Sequence, residues 1–402
     1  MNTQGTSVLS LNGGSSSIRF AVYKVDEPLL ECLGGKVDRI GLPGTCLTTN
    51  ESETTAPPLQ LPESDYNTAI AFLLGWLESR KTPGTIGAIG HRVVHGMSHS
   101  EPELITPALI SELRQISIFD PDHLPGEIQL IETFQRRFPS IKQVACFDTA
   151  FHHTLPRVAR QLPIPRQYEA MGIRRFGFHG ISYSYLMDEL VRLEDPAVKT
   201  GRSILAHLGN GASMAAVLDG KSIDTTMGFT PTGGLMMSTR SGDLDPGVAA
   251  YLARTENMST DQFQDMVNHR SGMLGISESS SDMRDLLRHA GTDLRAAEAV
   301  NLFCYQAKKC LGAYAGALGG LDTLVFTGGI GENSPEVRLR ICEGLGFLGI
   351  KLDEERNSAN APLISGGIGT VTIRVIRTNE ERMIARSTVR LLGWDQGRDA
   401  LV

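Results

Sequence analysis

The chain has 402 residues, with 38 basic and 45 acidic side chains and a formal net charge of −7. A mildly acidic chain has no general reason to bind nucleic acid or an anionic membrane, so any anion site must be local. Hydrophobic residues at 41% and charged residues at 21% exclude a disordered chain, and the length predicts two or three domains.

The stretch from Met1 to Ser7 is polar, which predicts no secretory leader, and no run of 18 apolar residues predicts a membrane span. Ser7-Val-Leu-Ser-Leu11, Asn12-Gly-Gly-Ser-Ser-Ser17 and Ile18-Arg-Phe-Ala-Val22 predict a strand, a tight glycine turn and a second strand, a β-hairpin with a polar tip. From Thr48 to Asp65 the chain is rich in Thr, Pro and Glu and predicts a solvated loop. Ala88 to Val94 and Val144 to Phe147 predict strands, and Pro125 to Phe138 predicts a helix. About half the chain beyond the first hairpin, Ser203 to Leu208, Gly209-Asn-Gly-Ala-Ser213 and Met214 to Leu218 repeat its pattern, which suggests a duplicated domain. Leu294 to Leu318 predicts a helix in which Gly312 and Gly316, with Gly320 beyond, mark close helix packing. Thr323 to Thr327 predicts a strand running into a glycine turn at Gly328-Gly-Ile-Gly-Glu-Asn333, then a helix capped by Ser334 with Pro335 at its first position. Hairpins mixed with strand–helix units predict an α/β fold with a mixed sheet in each half and a cleft between the halves as the default ligand site.

Glycines number 43, roughly 11% against an average near 7%. Three glycine turns at strand ends bring backbone N–H groups within reach of phosphate oxygens, although Asn-Gly is equally a hairpin turn. Neither GxxxxGK[ST] nor GxGxxG is present, so a nucleotide fold must be another one. Arg92, on a strand, either pairs with a carboxylate or binds an anion bidentately. Arg240, in a polar loop, either pairs with Asp243 or binds an anion. Asp148, at a strand end, is a helix cap or a functional acid. His179 and His123 read equally as structural histidines. Six dispersed cysteines (Cys32, Cys46, Cys146, Cys304, Cys310, Cys342) without a CxxC pair predict neither a zinc site nor a disulfide framework, and a reducing compartment. Glycine turns, two arginines, histidines and isolated acids suit phosphoryl transfer, which needs positioning and charge neutralisation more than covalent catalysis.

Ten motifs in order resemble the acetate kinase family, in the superfamily that also holds sugar kinases, actin and the heat-shock chaperone ATPases. They are Leu11-Asn-Gly-Gly-Ser-Ser-Ser17, His91-Arg-Val-Val-His-Gly96, Phe147-Asp-Thr-Ala-Phe-His152, Gly177-Phe-His-Gly180, His207-Leu-Gly-Asn-Gly211, Met227-Gly-Phe-Thr-Pro231, Thr239-Arg-Ser-Gly-Asp243, Ser281-Asp-Met-Arg284, Phe326 to Asn333 and Thr378-Asn-Glu-Glu381. The resemblance runs from Val8 to about Ala385. It implies two actin-like (ribonuclease H-like) domains with mixed sheets: residues 1–150 with 380–402 for the acyl substrate, and 151–379 for the nucleotide. It implies that Asn12 and Glu380 hold Mg2+, with Mn2+ as an alternative. Asp148, His179 and Arg240 are implied as catalytic residues and Arg92 and His123 as substrate contacts, with Val94, Phe178 and Pro231 walling an acyl pocket. ATP contacts are implied for Arg19, His207, Leu208, Gly209, Asn210, Gly211, Asp282, Met283, Arg284, Gly329, Ile330, Gly331, Glu332 and Asn333. A cytoplasmic homodimer acting on acetate and ATP, with no nucleic acid or membrane partner, completes the expectation.

The chain departs from the family at Arg19, where lysine is usual, at Met97, where a second glycine is usual, and at Asp122, where leucine is common. Asp122 either turns away to pair with His123 or a nearby arginine, or faces the pocket and accepts a substrate hydroxyl. The rival readings are a propionate or hydroxy-acid kinase of the same family, a sugar kinase using Asp148 as base, and an actin-like or chaperone ATPase.

Overall fold

The structure, a computed structural model, describes residues 5–14, 16–26, 28–50, 58–62, 64–80 and 84–395. Ser15 of the first glycine turn, residues 51–57 and 63 of the Thr48 to Asp65 stretch and both chain ends fall outside the described residues. The chain divides into two compact units, Met1–Ala150 with Asn379–Val402, and Phe151–Thr378.

The first unit holds a mixed sheet of β1 (Thr6–Gly13), β2 (Ser17–Lys24), β3 (Leu30–Asp38), β4 (Cys46–Thr49), β5 (Leu59–Gln60), β6 (Thr85–Val93), β7 (Glu103–Leu104) and β8 (Lys142–Phe147). Their order is β5-β4-β3-β2-β1-β6-β8-β7. β1 pairs antiparallel with β2, as a hairpin must, and parallel with β6, which pairs parallel with β8. The two-residue period of a strand sends successive side chains to opposite faces. Leu9, Leu11 and Ile89 enter the core built with Leu73 and Trp76 of helix Tyr66–Ser79 and Phe134 of helix Leu124–Arg137. Val8 and Ala88 point the other way, against Ala385 and Val389 of helix Glu380–Leu391. Asn12 and Arg92 stand four residues along from Val8 and Ala88, so they share the parity of the face covered by that last helix.

The second unit repeats the pattern with β9 (Arg202–Leu208), β10 (Ala212–Leu218), β11 (Lys221–Thr225), β12 (Thr323–Thr327) and β13 (Thr372–Val375), in the order β11-β10-β9-β12-β13. The order matches β3-β2-β1-β6-β8, an antiparallel meander followed by two parallel strands. Leu205, Ala215 and Val217 pack under Tyr183, Leu186 and Leu190 of helix Gly180–Arg192. By the same alternation His207, two on from Leu205, and Ser213, two before Ala215, face that helix.

Three expectations need correction. The segment Gly328–Asn333 is a short helix and not a turn, entered at Gly328 with φ +78°. A Cβ on Gly328 would meet the Leu208 carbonyl oxygen at 2.7 Å, so packing against β9, not helix propensity, fixes this glycine. Ser334 makes no side-chain cap for the following helix, Pro335–Cys342. Gly312 and Gly316, inside helix Leu294–Leu318, have open space where a Cβ would stand, so no close packing depends on them. Among the described residues no helix is long and apolar enough to cross a membrane.

Candidate active site

In the first unit the site is built at the ends of β1, β6 and β8. Asn12, 8% exposed, donates its amide N–H to Glu380 Oε2 at 2.7 Å and Glu381 Oε1 at 3.1 Å. Both glutamates lie in the first turn of the last helix, where Asn379 caps the backbone and the macrodipole favours negative charge. Burial, then the neighbouring Glu380, push the Glu381 carboxyl above its ordinary range, while the charge of Arg19 opposes them. Arg19 faces Asn12 across the hairpin register.

Arg92 donates Nε and Nη2 to Asp148 Oδ2 at 3.2 and 2.7 Å, and Nη1 to the Gly13 carbonyl at 3.2 Å. Asp148 follows β8, and its N–H is bound by the Val93 carbonyl at 2.9 Å. Parallel pairing of β6 and β8 thus brings together two residues 56 apart in sequence. Burial works against the Arg92 charge, but the neighbouring carboxylates, Asp148 foremost, outweigh it. Of the two sequence readings of Arg92, pairing with a carboxylate is the one observed here. The pair leaves N–H groups of Nη1 and Nη2 available beyond the bonds named.

His123 precedes helix Leu124–Arg137, with its Nδ1 2.8 Å from Asp120 Oδ1. The sequence offered Asp122 for that bond. Asp120, three residues back and buried, makes the bond named here, and Asp122 is exposed. Val94 is buried, its N–H bound by Glu127 Oε2 at 2.9 Å. Glu127, which sequence reasoning missed, also stands 3.7 Å from Arg92. Met97 has φ +49°, left-handed backbone that the family's usual glycine adopts freely and that costs another residue roughly 1–2 kcal/mol.

In the second unit His179 sits in left-handed backbone, φ +59°, just before helix Gly180–Arg192. Its Nδ1 lies 2.8 Å from Ser213 Oγ, and its ring stacks on His207 with centroids 4.2 Å apart. His207 Nδ1 lies 2.9 Å from Ser182 Oγ. A Cβ on Gly211 would stand 3.1 Å from His179 Nε2 and 3.8 Å from Arg240 Nη1, and one on Gly209 would stand 3.8 Å from His207 Nε2 and 3.6 Å from the Gly329 nitrogen. The turn Gly209-Asn210-Gly211 is therefore ringed by two imidazoles, a guanidinium and the start of Gly328–Asn333. Arg240 donates to the Pro231 carbonyl at 3.2 Å, while Asp243 accepts the Gly234 N–H at 2.7 Å. Phe178 is buried, its carbonyl bound by His152 at 3.0 Å. Pro231 is buried too.

Of the remaining residues implied for ATP, Leu208 and Met283 are buried. Asn210 accepts a bond from Ser238 Oγ at 3.4 Å. Asp282 caps helix Met283–His289 and pairs with an exposed Arg284 at 2.6 Å. Glu332 turns inward, accepting the N–H groups of Gly328 at 2.9 Å and Thr378 at 3.1 Å, and so fastens the segment that carries Gly329, Ile330 and Gly331. Asn333 donates to the Gly329 carbonyl at 2.9 Å. Arg338, also missed, is fully buried and holds the Gly331 and Glu332 carbonyls at 2.8 and 3.2 Å.

The donor set at Asn12, Glu380 and Glu381 is an amide oxygen and two carboxylates, all hard oxygens that suit magnesium. Among the described residues no group of three or more His, Cys, Asp or Glu could hold a metal alone. That fits an ion bound through one or two carboxylates and completed by phosphate and water.

The family model described as the acetokinase family matches residues 7–386. An acetate kinase of Rhodopseudomonas palustris (strain TIE-1) is 44% identical over 399 residues, covering 97% of this chain and 99% of that protein. A propionate kinase of Citrobacter rodentium is 39% identical over 390 residues, covering 96% of each. Among solved structures, Porphyromonas gingivalis acetate kinase superposes with a TM-score of 0.85 at 36% identity, covering 96% of this chain and 100% of that one. A Francisella tularensis propionate kinase superposes with a TM-score of 0.87 at 36% identity, covering 95% and 98%.

Proposed function

Since the chain belongs to the acetokinase family, we propose that it catalyses magnesium-dependent, reversible transfer of the γ-phosphoryl group of ATP to acetate or a similar short-chain carboxylate, giving acetyl phosphate and ADP. It is a kinase acting on a carboxylate, and its two units are actin-like domains.

A short carboxylic acid has a pKa near that of side-chain carboxyls, about 4, and is ionised at neutral pH. It needs no general base. A carboxylate oxygen attacks the γ-phosphorus, the bond to the bridging oxygen of ADP breaks, and that oxygen keeps the electron pair. The obstacle is repulsion between an anion and a triphosphate, offset by preorganised cations and donors. Arg92 grips the acceptor carboxylate, Asp148 serving as its holder and not as a proton acceptor. Arg240 and His179 bind the phosphoryl group in transfer. Asn12 and Glu380 hold the magnesium ion, which when bound neutralises charge on the phosphate oxygens. Gly209 to Gly211, Asp282 to Arg284 and Gly329 to Asn333 bind the nucleotide.

The observation that carries the reading is the convergence of His179 Nε2 and Arg240 Nη1 on Gly211, a backbone where no side chain stands in the way of a phosphoryl oxygen. Val94, Phe178 and Pro231 supply the apolar contacts for the acyl group. Propionate is the second acceptor, because relatives bearing that name also match across nearly the whole chain, at lower sequence identity than the acetate kinase relative. Six free thiols favour a cytoplasmic setting, and the family resemblance favours a homodimer.

A hydroxylamine trap for acyl phosphate, run with ATP and magnesium across a panel of carboxylic acids, tests the proposal. Hydroxamate should form with acetate and propionate. ATP hydrolysis equal with and without any acid, and no hydroxamate, would overturn it.

A further inference from the structure

Glu127 has no part in the chemistry above, yet after Asp148 it is the buried acid nearest the acceptor arginine. It lies in the first turn of helix Leu124–Arg137, among Leu124, Ile128 and Ile131. Its side chain is 3% exposed. Oε2 accepts the Val94 N–H at 2.9 Å. Oε1 stands 3.7 Å from Arg92 Nη1, beyond hydrogen-bond reach, and is buried without a hydrogen-bond partner. A carboxylate oxygen in that position is costly while it carries charge.

The surroundings hold more acid than base. Arg92 faces Glu127 from β6, Asp148 from the end of β8, Asp120 from the turn ahead of the helix, and Tyr66 from helix Tyr66–Ser79. Glu380 acts on Arg92 from the last helix. Asp148 already accepts two N–H groups of Arg92, so the guanidinium has its counter-charge without Glu127. We propose that Glu127 is a positioning residue of the acceptor site, holding the Val94 backbone with one oxygen and facing Arg92 with the other, and that its charge sets how strongly Arg92 binds an acceptor carboxylate. The inference rests on the reading that Arg92 grips that carboxylate.

The electrostatics agree with the geometry. Burial pushes the Glu127 carboxyl up to about 8; Arg92 and the Val94 N–H oppose the rise, and Asp120 and Asp148 add to it. Near neutrality Glu127 carries its proton, and Arg92 presents its charge to an incoming anion. As the carboxyl ionises, Arg92 is shared between two carboxylates and the acceptor meets a further negative charge. Acceptor affinity falls as pH rises through that range.

The test is the pH dependence of the acetate KM, the ATP KM and kcat between about pH 7 and 9, in wild type, Glu127→Gln, Glu127→Ala and Arg92→Lys. Glutamine keeps an oxygen for the Val94 N–H and cannot ionise. The wild-type acetate KM should rise about tenfold across that range, with the ATP KM steady within about twofold. Glu127→Gln should keep the low acetate KM throughout. Glu127→Ala should lose the pH dependence and show a raised acetate KM at every pH, since Val94 loses its anchor. Thermal unfolding of each variant separates this from a loss of fold. A flat wild-type acetate KM, or a rise that persists in Glu127→Gln, overturns the proposal. If Arg92→Lys leaves the acetate KM unchanged, the reading of Arg92 fails and this inference fails with it. If Arg92→Lys raises the KM and Glu127→Gln still shows the rise, only the role of Glu127 falls.

Discussion

His179 and His207 stack with ring centroids 4.2 Å apart and planes 21° from parallel, and each is held at Nδ1 by a serine from the other's element. Ser182, in the helix that follows His179, reaches His207, while Ser213, opposite His207 in the β9–β10 register, reaches His179. The exchange fastens helix to hairpin and leaves the Nε2 atoms turned toward the glycine turn.

The exchange predicts unequal effects from two similar substitutions. Ser213→Ala removes the Nδ1 partner of His179 and a close contact of the buried Tyr183 hydroxyl. Loss of His179 orientation should lower kcat on the order of tenfold to a hundredfold, short of the roughly 10²–10³ lost when a preorganised donor to transition-state charge is removed outright. The lost buried hydrogen bond should cost about 1–3 kcal/mol of stability. Ser182→Ala removes the Nδ1 partner of His207 instead and should change kcat less while raising the ATP KM more. Steady-state kcat and ATP KM for both variants are the check: Ser213→Ala should move chiefly kcat and Ser182→Ala chiefly the ATP KM. Ser213→Ala with wild-type kcat would mean that His179 is oriented by something else.

Much of this architecture is legible in the chain. Glycine turns between alternating apolar runs give both hairpins, and the helix Leu294–Leu318 lies where its apolar spacing puts it. What joins Arg92 to Asp148 is the parallel adjacency of β6 and β8, and strand order is not written in either strand. Glu127 did leave a signal, an acid on an apolar helical stripe with Leu124, Ile128 and Ile131 around it. Glu332 left none: its sequence neighbours suggest a nucleotide contact, while its carboxylate ties down the backbone N–H groups of Gly328 and of Thr378, the latter 46 residues further along the chain. Glycine-rich Gly328–Asn333 forms a helix against its propensity because Glu332 and Arg338 fasten its backbone groups.

Asp122 offers a second prediction. Because it is exposed and Asp120 holds His123, Asp122→Leu should leave the preference among acetate, propionate, glycolate and lactate unchanged, with kcat/KM for acetate within about twofold, as for surface changes generally. Asp120→Asn should weaken the hold on His123 and lower acetate kcat/KM. Measuring kcat/KM for the four acids in wild type and both variants decides the matter. A hydroxy acid preferred over acetate by wild type, with the order reversed in Asp122→Leu, would place Asp122 in the pocket after all.

Glu380 and Glu381 set the last prediction, in which stability and activity move in opposite directions. Asn12 bridges them with a single amide group at 2.7 and 3.1 Å, and two adjacent carboxylates so held repel each other unless a cation lies between. Burial and Glu380 both raise the Glu381 carboxyl. A group raised above its unfolded value contributes stability that is full below the unfolded value and lost as pH rises through the folded one. Without divalent cation, therefore, the protein should lose stability as pH climbs out of the ordinary carboxylate range, and added magnesium should restore it. Glu380→Gln removes one of the two charges and keeps an acceptor for Asn12. In the absence of metal this variant should melt above wild type and show a shallower decline with pH. It should also need more magnesium for half-maximal hydroxamate formation, by about tenfold or more, within the range seen when support for a metal site is lost. Melting curves with and without magnesium, paired with a magnesium titration of activity, read both halves. If Glu380→Gln melts below wild type without metal, the repulsion is not there; if its magnesium requirement is unchanged, Glu380 is not a ligand.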